Sequence, residues 1–293
     1  MRNGSCITAT VTKIVSDLYT VSSEKGTFRA KARGRFRLKG QSVCVGDIVK
    51  VVSEKGFMVI DEVLPRRNSL LRPFVSNIDS ALIVVAKEPV PDMILADKII
   101  VNCFIEGIKP VLVYNKRELA AGGEIEKLFS AYDSFIDCIA VSALEKSGFE
   151  ELRREIEGKT VCLAGQSAVG KTSLMNAILD AGLKTDGLSK KIKRGKNTTR
   201  HVEIYEAWGG KIMDTCGFSM LTLVNLEPDE LKYYYEDFLP LAGECRFSAC
   251  SHVNEPDCAV KKAVDEGRVD KARYLRYLEI YNELKNERRK SYD

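Results

Sequence analysis

The stretch Val161-Cys162-Leu163-Ala164-Gly165-Gln166-Ser167-Ala168-Val169-Gly170-Lys171-Thr172-Ser173 decides the fold of this chain. A short apolar run ends at Gly165, two glycines bracket a loop, and Leu174-Met175-Asn176-Ala177-Ile178-Leu179 continues as a helical pattern. G-x4-G-K-[ST] between a strand and a helix is the phosphate-loop signature. The glycines let the backbone turn sharply, so that successive N–H groups and the helix N-terminus converge on phosphate oxygens. Lys171 is placed to reach the β and γ phosphates, and the Thr172 hydroxyl to ligate Mg²⁺. The implication is a nucleoside triphosphate site.

Before this loop, strand-like runs at 80–86, 110–114 and 135–141 alternate with helical segments at about 92–106, 123–132 and 149–156. Such alternation predicts a parallel sheet with helices on both faces and a ligand at the carboxyl ends of its strands. Two motifs sit at such ends. Asn115-Lys116-Arg117-Glu118 follows the run 110–114. In GTP-binding proteins Asn-Lys-x-acid grips guanine, the carboxylate accepting from the ring N–H and the exocyclic amine. Ser142-Ala143 follows the run 135–141, where a backbone N–H can meet the guanine carbonyl oxygen. After the loop come Thr198-Thr199, suited to close over the metal, Asp214, suited to hold Mg²⁺ through water, and Gly217, whose N–H can sense the γ-phosphate. The expected GTP site is therefore Asn115, Lys116, Glu118, Ser142, Ala143, Gly165, Gln166, Ser167, Ala168, Val169, Gly170, Lys171, Thr172, Ser173, Asp214 and Gly217. Its magnesium is expected at Thr172, Thr198, Thr199 and Asp214. The base motifs precede the phosphate loop, the reverse of the usual order. That reads as a circular permutation, which packing of the sheet tolerates.

The rest of the 293 residues frames this domain. Five short β-rich runs within residues 1–72 predict an OB-fold barrel. Arg29, Lys31, Arg33, Arg35, Arg37 and Lys39 all fall on odd positions, so wherever this stretch is extended they share one face. That row suggests an RNA-binding surface that tracks phosphates. Pro65 to Pro73 reads as a linker. Cys245, Cys250, His252 and Cys258 form C-x4-C-x-H-x5-C, a Cys₃His set suited to a closed tetrahedral zinc site. Beyond Gly267, Leu275, Leu278, Tyr281 and Leu284 recur at helical intervals and are expected to pack against the zinc loop. A net charge of +4 leaves local clustering to carry any case for nucleic acid. Nine cysteines, several standing singly in apolar surroundings, fit a reducing compartment. No apolar run approaches membrane-spanning length, so a soluble, cytoplasmic protein is expected, and it is taken to be a monomer.

These motifs together resemble the ribosome small subunit-dependent GTPase A family (RsgA, also called YjeQ). The resemblance spans nearly the whole chain, through Val45-Gly46-Asp47, the linker, Asn115-Lys116, 165–172, Thr198-Thr199, 214–218 and the Cys/His cluster. It implies an OB-fold over 1–72, a circularly permuted GTPase domain over 73–222 and a zinc-binding helical domain over 223–293. The implied activity is Mg²⁺-dependent GTP hydrolysis stimulated by the small ribosomal subunit, late in that subunit's maturation. GTP, GDP and rRNA are the implied partners. Glu118 stands where the family has Asp, and Asn197 where many members have a His. Phe218 follows the Asp-x-x-Gly motif, where Ras-like enzymes keep a water-positioning Gln. The expected catalytic set is Lys171 for charge, Thr199 for closure and Asn197 for orienting water. Two alternatives stay open: a non-catalytic GTP-sensing RNA-binding module, and an ATP-using P-loop enzyme, for which Glu118 leaves room.

Overall fold

A computed structural model describes residues 6–34, 36, 42–54, 56–71, 74–185, 202–214, 223 and 226–290. The first strands are β1 (Ile7–Val15), β2 (Leu18–Ser23), β3 (Gly26–Ala32), β4 (Ile48–Glu54) and β5 (Phe57–Val63). β1 pairs with both β2 and β4, and β3 pairs in parallel with β5, so the five close into a barrel. Alternation places Ala9, Val11, Val21, Ala30, Val49, Val51 and Ile60 inside it.

The hairpin β6 (Ser69–Leu71) and β7 (Phe74–Ser76) leads to β8 (Ser80–Val85), all six residues of which are buried. α1 (Met93–Ile105), β9 (Lys109–Tyr114), α2 (Glu124–Phe129), β10 (Asp137–Ala140), α3 (Phe149–Ile156), β11 (Thr160–Ala164) and α4 (Lys171–Thr185) follow, then the hairpin β12 (Glu203–Ala207) and β13 (Gly210–Asp214). The sheet runs β10-β9-β8-β11-β13-β12, parallel except for β12, and passes on into β1 of the barrel through the Lys13–Glu203 pairing. Period-two alternation splits the strands between two cores. Ala81, Ile83, Leu112, Cys162 and Met213 face α1. Leu82, Val84, Val111, Val113, Val161 and Leu163 face α3 and α4.

Among the described residues there follow a 3₁₀ segment (Pro228–Tyr234), α5 (Leu239–Ala242), α6 (Ala259–Asp265) and the long α7 (Lys271–Lys290), and a further short 3₁₀ turn (Arg117–Leu119) carries Glu118. Of the expected stripe, Leu278, Tyr281 and Leu284 pack into the C-terminal core and Leu275 does not. Leu275 is 53% exposed, while Tyr274, Tyr277, Ile280 and Leu284 are buried. Four aromatic rings decide the rotation, because Tyr274 and Tyr277 pack with Tyr235 and Phe238, and burying a ring removes more surface from water than burying a leucine. No helix among the described residues is long and apolar enough to cross a membrane.

Two buried carboxylates join the parts. Asp47 accepts from Arg66 Nε (2.7 Å), Ser76 Oγ (2.7 Å) and the Cys44 N–H (2.8 Å), drawing barrel, linker and β7 together. The start of the presumed linker is thus a fixed piece, with Arg67 also paired to Asp79 at 2.8 Å. Asp97 of α1 accepts from Arg273 (2.6 Å), Arg276 (2.5 Å) and Tyr132 Oη (2.7 Å), which fastens α7 to α1. Burial pulls the Arg273 guanidinium toward neutrality, but Asp97 and Asp237 outweigh it and hold the charge. Removing one partner of such a pair strands the other. Asp97→Ala is expected to cost about 3–5 kcal/mol in chemical denaturation, against roughly 0.5 kcal/mol or less for the exposed Lys262→Ala.

Candidate functional site

The phosphate loop is moulded against strands that precede it in the chain. Gly165 sits at φ +120°, and a Cβ there would lie 2.2 Å from the Val84 carbonyl oxygen. Gly170 sits at φ +94°, with a Cβ position 2.4 Å from Asn115 Nδ2. Neither position admits a side chain. Ala168 also adopts a left-handed conformation, φ +66°, without a glycine's freedom. Thr172 and Ser173 are exposed at the start of α4, and Val169 is buried beneath the loop.

Asn115 is 1% exposed and joins three motifs. Its Nδ2 donates to the Val169 carbonyl (2.9 Å), and its Oδ1 accepts from the Ala143 N–H (3.2 Å). Lys116, at φ +60°, donates to the carbonyls of Ala168 (3.1 Å) and Glu88 (2.6 Å). The buried Ser142 hydroxyl accepts from the Glu145 N–H at 2.9 Å and so shapes the turn that carries Ala143. Glu118 Oε2 is buried without a hydrogen-bond partner, an acceptor left for a donor to satisfy. The chain order is permuted, yet Asn115, Ser142, Ala143 and the loop 165–170 meet at one place.

Lys171 lies 9% exposed with its ammonium turned back onto the carbonyls of Gly165 (2.7 Å) and Gln166 (2.5 Å). Burial lowers its pKa, and the nearby Asp214 carboxylate acts in the opposite direction. Asp214 is 2% exposed at the carboxyl end of β13. Asn197, Thr198, Thr199 and Gly217 lie outside the described residues. The Gln166 side chain bonds the segment before α1, a role the motif alone does not announce.

In the C-terminal unit the ligating atoms of Cys245, Cys250, His252 and Cys258 lie within 4.8 Å of one another. A tetrahedron with zinc–sulfur bonds of about 2.3 Å has edges of about 3.8 Å. With a zinc–nitrogen bond of about 2.0–2.1 Å the sulfur–nitrogen edge shortens to about 3.5 Å. Cys245 Sγ–Cys258 Sγ (4.0 Å) lies near the first, and Cys245 Sγ–His252 Nδ1 (3.6 Å) and His252 Nδ1–Cys258 Sγ (3.3 Å) lie near the second. Burial depresses the His252 pKa, favouring the neutral ring that ligates a metal. The loop is held from outside. The hydroxyls of Tyr274 and Tyr277 donate to the carbonyls of His252 (2.8 Å) and Ser251 (2.5 Å), and the Lys232 ammonium donates to the Cys250 carbonyl (3.0 Å). Glu255 accepts from the N–H groups of Ser251 (2.7 Å) and Val253 (3.1 Å) and from the Ser251 hydroxyl (2.7 Å), which help hold its pKa at about 2 against the effect of burial.

Of the basic row, Arg29 and Lys31 are exposed on β3. Arg33 lies just past that strand and is spoken for by two carboxylates, Asp61 at 2.5 Å and Glu54. Arg35, Arg37 and Lys39 lie outside the described residues.

The RsgA GTPase family model matches residues 63–224, and the RsgA N-terminal domain model matches residues 8–57. The chain belongs to the RsgA GTPase family. It is 40% identical over 284 residues to the small ribosomal subunit biogenesis GTPase RsgA of Caldanaerobacter subterraneus subsp. tengcongensis, covering 95% of this chain and 96% of the relative. Its counterpart of the same name in Halalkalibacterium halodurans is 35% identical over 292 residues, 97% of this chain and 99% of that one. The crystal structure of YjeQ from Thermotoga maritima superposes with a TM-score of 0.79 at 34% identity, covering 95% of this chain and 98% of that one. That of YloQ, a circularly permuted GTPase, gives 0.77 at 29% identity over 96% of both chains. The order of motifs around Asn115 is thus that of a permuted GTPase.

The moulding of the loop makes a sharp contrast measurable. Gly170→Ala drives a methyl into Asn115 and is expected to weaken GDP binding at least tenfold, about 1.4 kcal/mol, in fluorescent-nucleotide titration. Ala168→Gly relieves a left-handed alanine and is expected to keep full affinity, with an unfolding midpoint equal or higher.

Proposed function

We propose that this chain is a GTP hydrolase that binds the small ribosomal subunit and acts late in its maturation, in the cytoplasm, with the subunit stimulating hydrolysis and hydrolysis timing release. The Asn115 amide carries the reading. It bonds the phosphate loop on one side and the Ala143 N–H on the other, so one side chain sets the spacing between a triphosphate and a purine. The unpaired Glu118 oxygen favours guanine, whose ring N–H and amine are donors where adenine presents an acceptor. The names and near full-length coverage of the relatives support the ribosomal partner.

In the working site the Lys171 ammonium leaves its two carbonyl acceptors for the β and γ phosphates, and the loop amides and α4 N-terminus complete the cradle. Mg²⁺ bound with the triphosphate would neutralise developing charge, with the Thr172 hydroxyl and Asp214 as the described side chains placed to hold it. Thr198, Thr199 and Gly217 are proposed to close over the γ-phosphate, with Asn197 orienting the attacking water. The Cys₃His cluster is proposed to hold one structural Zn²⁺, leaving no open position for chemistry. Arg29 and Lys31 are proposed as the barrel's RNA contacts, with Arg35, Arg37 and Lys39 continuing the row and Arg33 in a supporting place.

Phosphate release under multiple turnover, with GTP or ATP and with or without purified small subunits, tests the activity. GTP is expected to be preferred, subunits to raise kcat at least tenfold, and Lys171→Ala to lose turnover. Equal competition by ATP would point to an ATP-using enzyme, and tight GTP binding without turnover to a sensor module. Elemental analysis is expected to find about one zinc per chain. Cys258→Ser should lose that zinc and lower the unfolding midpoint; a metal-free chain of undiminished stability would remove the structural role.

A further inference from the structure

Gln166 belongs to the phosphate loop by its backbone, but its side chain points to another part of the molecule. Its Oε1 accepts from the Asp92 N–H at 2.5 Å, and its Nε2 donates to the Val90 carbonyl at 3.0 Å. The carbonyl of the same residue accepts from the Lys171 ammonium at 2.5 Å. One residue therefore touches both the phosphate-binding lysine and the turn that begins α1. That turn is itself fixed. The Asp92 carboxylate caps α1 by accepting from the Leu95 N–H at 2.9 Å. The neighbouring Glu88 carbonyl is held by Lys116.

α1 does not end its contacts there. Between Asp92 and the buried Asp97 lies little more than one turn of hydrogen-bonded helix, a stiff spacer. Asp97 is gripped by Arg273 and Arg276 of α7, and Lys98 reaches Glu283 of the same helix at 2.6 Å. α7 in turn holds the Cys/His loop through Tyr274 and Tyr277. Every link from the Cys250–Cys258 loop to Lys171 is a hydrogen bond, an ion pair or a single helix, and the Gln166 side chain is its last link at the nucleotide.

We propose that Gln166 is a positioning residue that ties the phosphate loop to α1, and through Asp97 to the C-terminal metal-binding unit, so that a partner seated on that unit alters nucleotide turnover. A displacement of α1 moves the Gln166 peptide and with it one acceptor of Lys171. Its nature as a tie rests on contacts alone; the identity of the partner rests on the proposed function.

A double-mutant cycle in the full-length protein separates the two. Gln166→Met keeps the length of the side chain and removes both hydrogen bonds. Arg276→Met removes its bonds to Asp97 and to the Tyr132 hydroxyl and leaves the Arg273 and Tyr132 bonds to Asp97 in place; Lys98→Met, which cuts the α1–α7 pair with Glu283, serves if that variant does not fold. In nucleotide-free protein, Arg276→Met is expected to speed amide hydrogen exchange over residues 165–172 roughly fivefold or more. The same change in the Gln166→Met background should add nothing. In turnover assays with small subunits, Gln166→Met should lower the stimulated kcat by a similar factor while KM for GTP shifts less than threefold. Independent, multiplying effects of the two substitutions on exchange would overturn the tie. Coupled exchange in a protein that small subunits do not stimulate would leave the tie standing and remove the proposed partner.

Discussion

One amide group holds the nucleotide site in shape. The Asn115 side chain spans from the Val169 carbonyl to the Ala143 N–H, and the three segments it joins are far apart in the chain. A carboxamide suits this place because it offers a donor and an acceptor at fixed separation, and both are used with almost no exposure to water. A buried amide with one partner missing is costly, so neither the loop nor the base-recognition turn can drift alone. The register β8-β9 and β8-β11 supplies the underlying spacing, and the amide trims it.

Two carboxylates do for the domains what Asn115 does for the motifs. Asp47 saturates its oxygens with Arg66, Ser76 and a backbone N–H, and Gly46 beside it lies so close to Ser76 that only glycine fits. Asp97 is surrounded by two guanidinium groups and a phenol. Such groups add little net stability compared with apolar packing, but they tolerate only one relative placement of their partners. Barrel and C-terminal unit are therefore seated on the central sheet by polar contacts that are demanding in angle as well as distance.

The phosphate loop, the base motifs and the Cys/His set were legible because each is a local spacing whose chemistry is carried by residue type. The α/β alternation was legible because fully buried strands such as Ser80–Val85 are apolar from their second residue on. What escaped was long-range. Arg33 belongs to an odd-numbered row, but only the fold brings Asp61 and Glu54 to it. Leu275 fits a helical stripe as well as Ile280 does, and the choice between faces was made by rings on other elements. The only trace of the Asp97 network was an acid and a base, Asp97 and Lys98, the two charged residues of a largely apolar helix. Gln166 left no trace, since its partners are backbone atoms near Val90.

Only glycine fits at 165 against Val84, and only glycine at 170 against Asn115. Both templates leave the ribosome before the loop that presses on them. A chain made from its N-terminus can thus assemble the purine-facing half first and cast the phosphate-facing half upon it. In the unpermuted arrangement the loop is made first and waits for its backing. The rearranged gene order therefore also reverses which half of the pocket serves as mould during synthesis.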